Sequence, residues 1–327
     1  MAAELEEALL AALKRLATHP AARGLADDAA VLSWPLGLEL VATHDMLAEG
    51  VHFTAACSPA DIGWKLAAVN LSDLAAMGAR PVAVLLGIGA GEGRDAPWAE
   101  AVAQGVAQAL GRFGGALIGG DTIRCGAASA LSLTALGSVP PGAALARGGA
   151  AADEELWVSG TIGDAGLGLA IARGDRPEDR FLLKRYRRPS PRVALGLALR
   201  GIATAAIDVS DGLLIDAARL AAASGLQAEI DARAVPLSEP ARASGVPVAT
   251  LAASGDDFEL LFAAPAERRA AVVEAASRAG TPVARIGRLR ALAGGRLRPS
   301  AAGAARVRLL AADGTELPLG DLGYRHC

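Results

Sequence analysis

Aspartates are the residues of this 327-residue chain best suited to carry chemistry. Asp27 and Asp28 lie in GLADDAAV, Asp45 in VATHDML, Asp73 in NLSDLAAMGA and Asp121 in LIGGDT. Asp208 and Asp211 lie in IDVSDGLL, and Asp256 and Asp257 in SGDDFELLF. Their neighbours are mostly glycine, alanine or apolar residues, with few lysines or arginines close by. A carboxylate buried without a partner costs several kcal/mol or is neutralised by a proton. Taken singly, each reads as a helix cap or turn residue, where aspartate is common. As a recurring Gly/Ser-Asp set they call for compensating charge. Hard cations bound by oxygen supply it, and Mg2+ is the usual ion where substrate phosphates complete the shell.

These acids sit between alternating elements. Strand patterns run over Leu38–Thr43, Val82–Ile88, Leu131–Val139, Glu155–Ser159, Thr204–Ile207, Gln227–Ile230 and Leu260–Phe262. Helical periodicity runs over Ile62–Met77, Pro97–Phe113, Pro191–Arg200, Leu213–Ser224 and Ala266–Ala279, each bounded by Gly, Pro or a capping residue. Leu5, Leu9, Leu13 and Leu16 mark an amphipathic helix ending near Pro20. The mixture defines an α/β (α+β) chain of about two domains. A boundary is expected at Gly148–Glu154, giving domains 1–150 and 151–327. In each half a strand ends in aspartate and is followed by a helix: Val41–Asp45 with Ile62–Met77, and Ala206–Asp211 with Leu213–Ser224.

Other chemistry has weaker signals. GxxxxGK[ST] is absent, so there is no P-loop. No GxSxG supports a serine nucleophile. Gly160–Gly168 (GTIGDAGLG) follows a strand and enters a helix; its small residues suit either a phosphate at backbone N–H groups or close helix–sheet packing. Gly87–Gly93 (GIGAGEG) reads as the end of a strand in a loop. His52 in EGVHF and His44 beside Asp45 read first as hydrogen-bonded core histidines. Arg147 suits a phosphate clamp or a solvated position. The run Leu182–Arg192 (LLKRYRRPSPR) reads as a solvated loop or a steering patch for anions.

Composition excludes several classes. With 32 basic against 35 acidic residues the net charge is −3, which offers no footprint for nucleic acid. Aromatics are 3%, too few for base-stacking platforms. The longest apolar stretches, such as Pro81–Gly91, are too short to span a bilayer. Cys57, Cys125 and Cys327 are scattered, which fits a reducing cytoplasm and no disulfide framework.

The ordered series of motifs resembles the thiamine-monophosphate kinase family, within a superfamily that includes aminoimidazole ribonucleotide synthetase and selenophosphate synthetase. The series runs ADDAAV (Ala26–Val31), HDMLAEGVHF (His44–Phe53), NLSDLAAMGARP (Asn70–Pro81), GGDT (Gly119–Thr122), LARGGA (Leu145–Ala150) and VSGTIGDAGLGL (Val158–Leu169). It continues through RPSPR (Arg188–Arg192), DVSDGLL (Asp208–Leu214) and GDDFELLF (Gly255–Phe262) to GYRHC (Gly323–Cys327). The resemblance implies ATP-dependent conversion of thiamine monophosphate to thiamine diphosphate, with several Mg2+ ions and no general base. It implies metal contacts at Asp27, Thr43, His44, Asp45, Asp73, Asp121, Asp208 and Asp211. It implies nucleotide contacts at Gly120, Asp121, Arg147 and Ser210, and substrate contacts at His52, Asp256 and Tyr324. It also implies a homodimer in which the N-terminal strands of two subunits form a barrel.

Three positions depart from the family pattern. His44 replaces a threonine and is a poor Mg2+ ligand through its ring. Asp256 replaces a glutamate, shortening its reach by one methylene. Ala26 replaces a glycine and would be strained if the position needs positive φ. Two other readings stand beside the kinase. One is a superfamily sibling that activates an amide; the other is a nucleotide-binding paralogue without turnover.

Overall fold

In β1 (Glu39–Ala48) successive side chains face opposite sides, as a pleated strand requires. The computed structural model describes residues 10–292 and 306–324. The beginning of the amphipathic N-terminal pattern (Leu5, Leu9) and the last three residues of GYRHC, Cys327 included, lie outside the described residues. The chain divides into two units, Met1–Leu74 with Ala79–Gly142, and Ala75–Gly78 with Ala143–Cys327.

The first unit is built on a four-stranded sheet of order β1-β4-β2-β3. Its other strands are β2 (Arg80–Ala90), β3 (Ala116–Arg124) and β4 (Ala130–Val139). β4 runs antiparallel to both β1 and β2, and β2 is parallel to β3. A parallel pair needs a crossover, and α3 (Ala96–Phe113) supplies it. Asp95 caps α3 by accepting from the Trp98 amide at 2.9 Å, with Pro97 in the first turn. The helical residues 10–16 (α1) precede the sheet, and α2 (Pro59–Ala76) follows β1. Leu66, Leu71, Leu74, Val102, Leu86 and Leu133 are buried in this unit.

The second unit holds a six-stranded sheet of order β10-β7-β9-β5-β8-β6. Its strands are β5 (Glu155–Ser159), β6 (Ala205–Asp208), β7 (Leu226–Asp231), β8 (Leu260–Ala264), β9 (Val283–Ala291) and β10 (Val307–Leu310). Its helices are α4 (Asp164–Ala172), α5 (Arg180–Arg187), α6 (Val193–Leu199), α7 (Leu213–Ala223), α8 (Glu239–Ala243), α9 (Val248–Ala252) and α10 (Arg269–Ala279). Leu156, Val158, Ile207, Leu214 and Ile286 join one apolar cluster; Leu167, Leu182, Ala241 and Leu251 form another.

The structure extends the sequence reading in three places. The glycine run begins inside β2, because a Cβ at Gly87 would collide with Ser132 and one at Gly89 with Cys125. β3 covers the GGDT motif for the same reason: a Cβ at Gly120 would overlap the Leu86 carbonyl of the neighbouring strand. The basic run is not a solvated loop; its first half is α5, amphipathic with Leu182 and Tyr186 buried one turn apart. Among the described residues no helix is long and apolar enough to cross a membrane.

Candidate active site

Two periodicities meet in the first unit. Positions 43 and 45 share one face of β1, while positions 70 and 73 share one face of α2. The Thr43 hydroxyl donates to Asp73 Oδ2 at 2.5 Å, and the Asp45 amide donates to Asn70 Oδ1 at 3.0 Å. Asn70 is held in turn by donating to the Leu66 carbonyl at 2.9 Å. Thr43, Asp45 and Asp73 are thus brought together by an antiparallel match of helix to strand. Sequence reasoning missed Asn70; its spacing of three from Asp73 inside the NLSD motif was the available signal.

Three expected metal positions of this unit are not joined to that group. His44 points to the opposite face of β1, where its Nδ1 is 2.8 Å from Thr134 Oγ1. Asp121 is aligned with Gly87, Ser132 and Met46 across the sheet, so it shares the face of His44. It lies on the far edge strand, about 14 Å from β1 at ordinary strand spacing. Its Oδ1 accepts the Thr122 amide at 2.8 Å. Gly120 is on the face of Asp45. Asp27 is exposed and paired with Arg23. Ala26 carries no strain, since its φ is −103°.

The EGVHF loop is tied at several points. The Ala48 amide donates to His52 Nδ1 at 3.1 Å, which leaves Nε2 to carry the proton of the neutral ring. Lys65 Nζ donates to the His52 carbonyl at 3.0 Å. Glu49 pairs with Arg94 and accepts the Ser129 amide at 3.0 Å. Burial alone would raise the Glu49 carboxyl; the Ser129 amide and Arg94 outweigh it and hold it below its ordinary value.

In the second unit, β6 ends at Asp208 and a tight loop leads into α7. The amides of Ser210, Asp211 and Gly212 all donate to Asp216 Oδ2, at 3.1, 3.1 and 3.2 Å. Arg219 bridges Asp211 and Asp216 at 2.5 and 2.7 Å. Burial pushes Asp216 up to about 6 against the pull of Arg219. The Tyr324 amide donates to the Asp211 carbonyl at 2.9 Å, and the Asp256 amide donates to the Ser210 carbonyl at 2.7 Å. A Cβ at Gly323 would strike Ile215, so glycine there allows the C-terminal segment to lie on α7. Asp208, Ser210, Asp211, Asp256 and Tyr324 therefore gather around one loop. Arg147 is exposed beside this strand, next to Ala146, whose carbonyl accepts the Ala206 amide at 2.8 Å.

The start of α4 settles the reading of GTIGDAGLG. Asp257 is fully buried and accepts the Gly163 amide at 2.6 Å and the Ala165 amide at 3.1 Å. A carboxylate of the protein occupies the donors that an external phosphate would need. Burial pushes the Asp257 carboxyl up to about 7; Arg185 and the two amides oppose that rise, and nearby Asp164 adds to it. The folded value lies above the ordinary 3.8, so between about pH 4 and about pH 7 the fold holds a proton the unfolded chain has released. This group therefore withdraws stability as pH rises through that interval. Asp257→Asn is expected to flatten this part of the pH dependence, as urea unfolding across the interval would measure.

Residues 26–139 match "AIR synthase related protein, N-terminal domain" and residues 151–298 match "AIR synthase related protein, C-terminal domain". Fold and site thus define a two-domain protein of the AIR synthase-related class. The thiamine-monophosphate kinase of Caulobacter vibrioides is 41% identical over 278 residues, which cover 82% of this chain and 78% of that protein. The crystal structure of thiamine-monophosphate kinase from Stenotrophomonas maltophilia K279a aligns with a TM-score of 0.78 at 39% identity, covering 89% of this chain and 90% of that one. AaThiL complexed with AMPPCP and TMP aligns with a TM-score of 0.74 at 28% identity, covering 90% of both chains. The chain belongs to the thiamine-monophosphate kinase family.

Proposed function

We propose that this chain transfers the γ-phosphoryl group of ATP to thiamine monophosphate, giving thiamine diphosphate and ADP in the cytoplasm. Membership of the family carries the reading: 41% identity over most of a thiamine-monophosphate kinase. A phosphate acceptor is already ionised at neutral pH, so the protein need only place the two substrates in line and neutralise charge. In this reading Ser210, Arg147, Gly120 and Asp121 hold the nucleotide. His52 offers its Nε2–H to the acceptor's phosphate, Asp256 contacts the acceptor, and Tyr324 packs on its rings.

Among the described residues no group of three or more His, Cys, Asp or Glu is arranged to hold a metal by itself. Mg2+ bound through substrate phosphates takes one or two protein carboxylates and keeps water for the rest. The oxygen donors Thr43, Asp45 and Asp73 in the first unit fit that demand, as do Asp208 and Asp211 in the second; Asp27 and Asp121, which lies on the opposite face of the sheet, stand in the set by the resemblance alone. When bound, Mg2+ would offset the charge of the transferring phosphoryl group. The side chain of His44 is left out of this set because imidazole is a poor ligand for Mg2+, and it is hydrogen-bonded to Thr134.

The outer face of the first sheet supports a homodimer. Leu40, Met46, Leu85 and Ile123 are 55%, 56%, 39% and 57% exposed there. An uncovered apolar sheet face of this kind marks an interaction surface. Met46→Asp is expected to convert a dimer to a monomer in sedimentation velocity; a monomeric wild type would refute the assignment.

The functional test is an end-point assay with Mg2+ and ATP, with thiamine monophosphate or free thiamine as acceptor. Thiamine diphosphate formed from the monophosphate alone supports the reading. ATP binding without product points to the paralogue without turnover.

A further inference from the structure

Three separate motifs converge on one fully buried carboxylate that the site itself does not use. Glu259 accepts from Arg192 Nε at 2.6 Å and Arg192 Nη2 at 2.5 Å, from Arg185 Nη2 at 2.9 Å, and from the Ser159 hydroxyl at 2.5 Å. Arg185 Nη2 also donates to the carbonyls of Thr161 and Asp257, each at 3.3 Å. Gly160 leaves the room, since a Cβ there would overlap the Glu259 carboxylate. The VSGTIGD, RPSPR and GDDFE segments are thereby joined through side-chain charge.

We propose that Glu259, clamped by Arg185 and Arg192, is a positioning residue that sets the conformation of the 255–258 loop and so the placement of Asp256 against the acceptor substrate. The proposal rests on the function proposed above. Asp256 has φ +71° and Phe258 φ +50°, left-handed conformations that residues with side chains rarely adopt. Such conformations persist only where the surroundings over-determine them. Here each anchor comes from outside the loop. Arg185 grips the Asp257 carbonyl, Gly163 and Ala165 grip the Asp257 carboxylate, and the Phe258 amide donates to the Val209 carbonyl at 2.8 Å. Asp257, Phe258 and Glu259 are buried; Asp256 alone of the four is half-exposed. Buried ion clusters are often replaceable by apolar groups without loss of stability, so stability alone is a weak reason for two arginines and a glutamate at this place.

The test compares wild type with Glu259→Gln and Arg192→Lys in steady-state kinetics. Gln keeps the shape of the carboxylate without its charge; Lys keeps a charge without the two-pronged geometry. Each is expected to raise KM for thiamine monophosphate about tenfold, with KM for ATP within about twofold of wild type. In an Asp256→Ala background Glu259→Gln is expected to add little further to KM, because the two act through one contact. A lower melting temperature with unchanged KM in both variants would overturn the proposal, as would equal rises in both KM values. Should Glu259→Gln not fold, Arg192→Lys alone decides between these outcomes. Wild-type turnover is the control: its absence with thiamine monophosphate refutes the function itself, whereas normal wild-type turnover with unshifted variants refutes only the clamp.

Discussion

Asp73→Asn is expected to lower kcat for phosphoryl transfer about a thousandfold, equivalent to about 4 kcal/mol of transition-state stabilisation. The substitution keeps the size of the side chain and its place on α2. It removes the negative charge that faces Thr43, on the same helix face as the Asn70 that holds the Asp45 amide. The carboxylate is only partly exposed, and the polar contacts around it survive with an amide, so the fold is expected to stand. Circular dichroism and the melting temperature check the fold, while turnover at saturating ATP checks the chemistry. A variant that retained the wild-type rate would remove Asp73 from the metal set. Asp45→Asn on the adjacent strand is expected to behave in the same way.

Gly63→Ala is expected to destabilise the first unit by about 3 kcal/mol. The sign is informative. In an exposed helix, alanine in place of glycine stabilises by about 1 kcal/mol. In α2 the added Cβ would overlap the Val102 carbonyl of α3. The contact is reciprocal, because a Cβ at Gly105 of α3 would overlap the Ala60 carbonyl of α2. The two helices meet backbone to backbone at these glycines, so neither clash can be relieved by rotating a side chain. α2 must shift, and Asn70 and Asp73 shift with it. A urea midpoint below wild type together with reduced turnover is the expected result; a raised midpoint would show that the helices can separate without cost.

Much of this architecture was legible because local pattern and tertiary role agree. The strand patterns at 82–88 and 131–139 fall inside β2 and β4, and the helical period at 97–113 matches α3. Where they disagree, the reading failed for identifiable reasons. β3 (ALIGGDTIR) carries two central glycines that argue for a loop, yet the Leu86 carbonyl leaves no space for a side chain at Gly120. β9 (VARIGRLRA) has a period-two pattern, but its arginines mask it. α5 overlaps the run Leu182–Arg192, whose five basic residues argue for a solvated loop, although Leu182 and Tyr186 bear its buried stripe. The site divides in the same way. The acidic positions were legible from motifs, and the pairing of Thr43 with Asp73 follows from helix and strand periods. The clamp on Glu259 was not, since its arginines lie 67 and 74 residues away and no local pattern encodes their meeting.

Lys65 has a practical consequence for following this protein in time. The chain has three lysines, Lys14, Lys65 and Lys184, and the first and last are exposed. Lys65 is 2% exposed, with its ammonium group held on the His52 carbonyl. Amine-directed reagents need a neutral, solvated amine, so Lys65 reacts only when the surrounding segment opens. With so few competing amines, the slow labelling of this one side chain becomes a clock for the opening of the histidine loop. Protection that lengthens when acceptor is added would report closure directly, without any measurement of turnover.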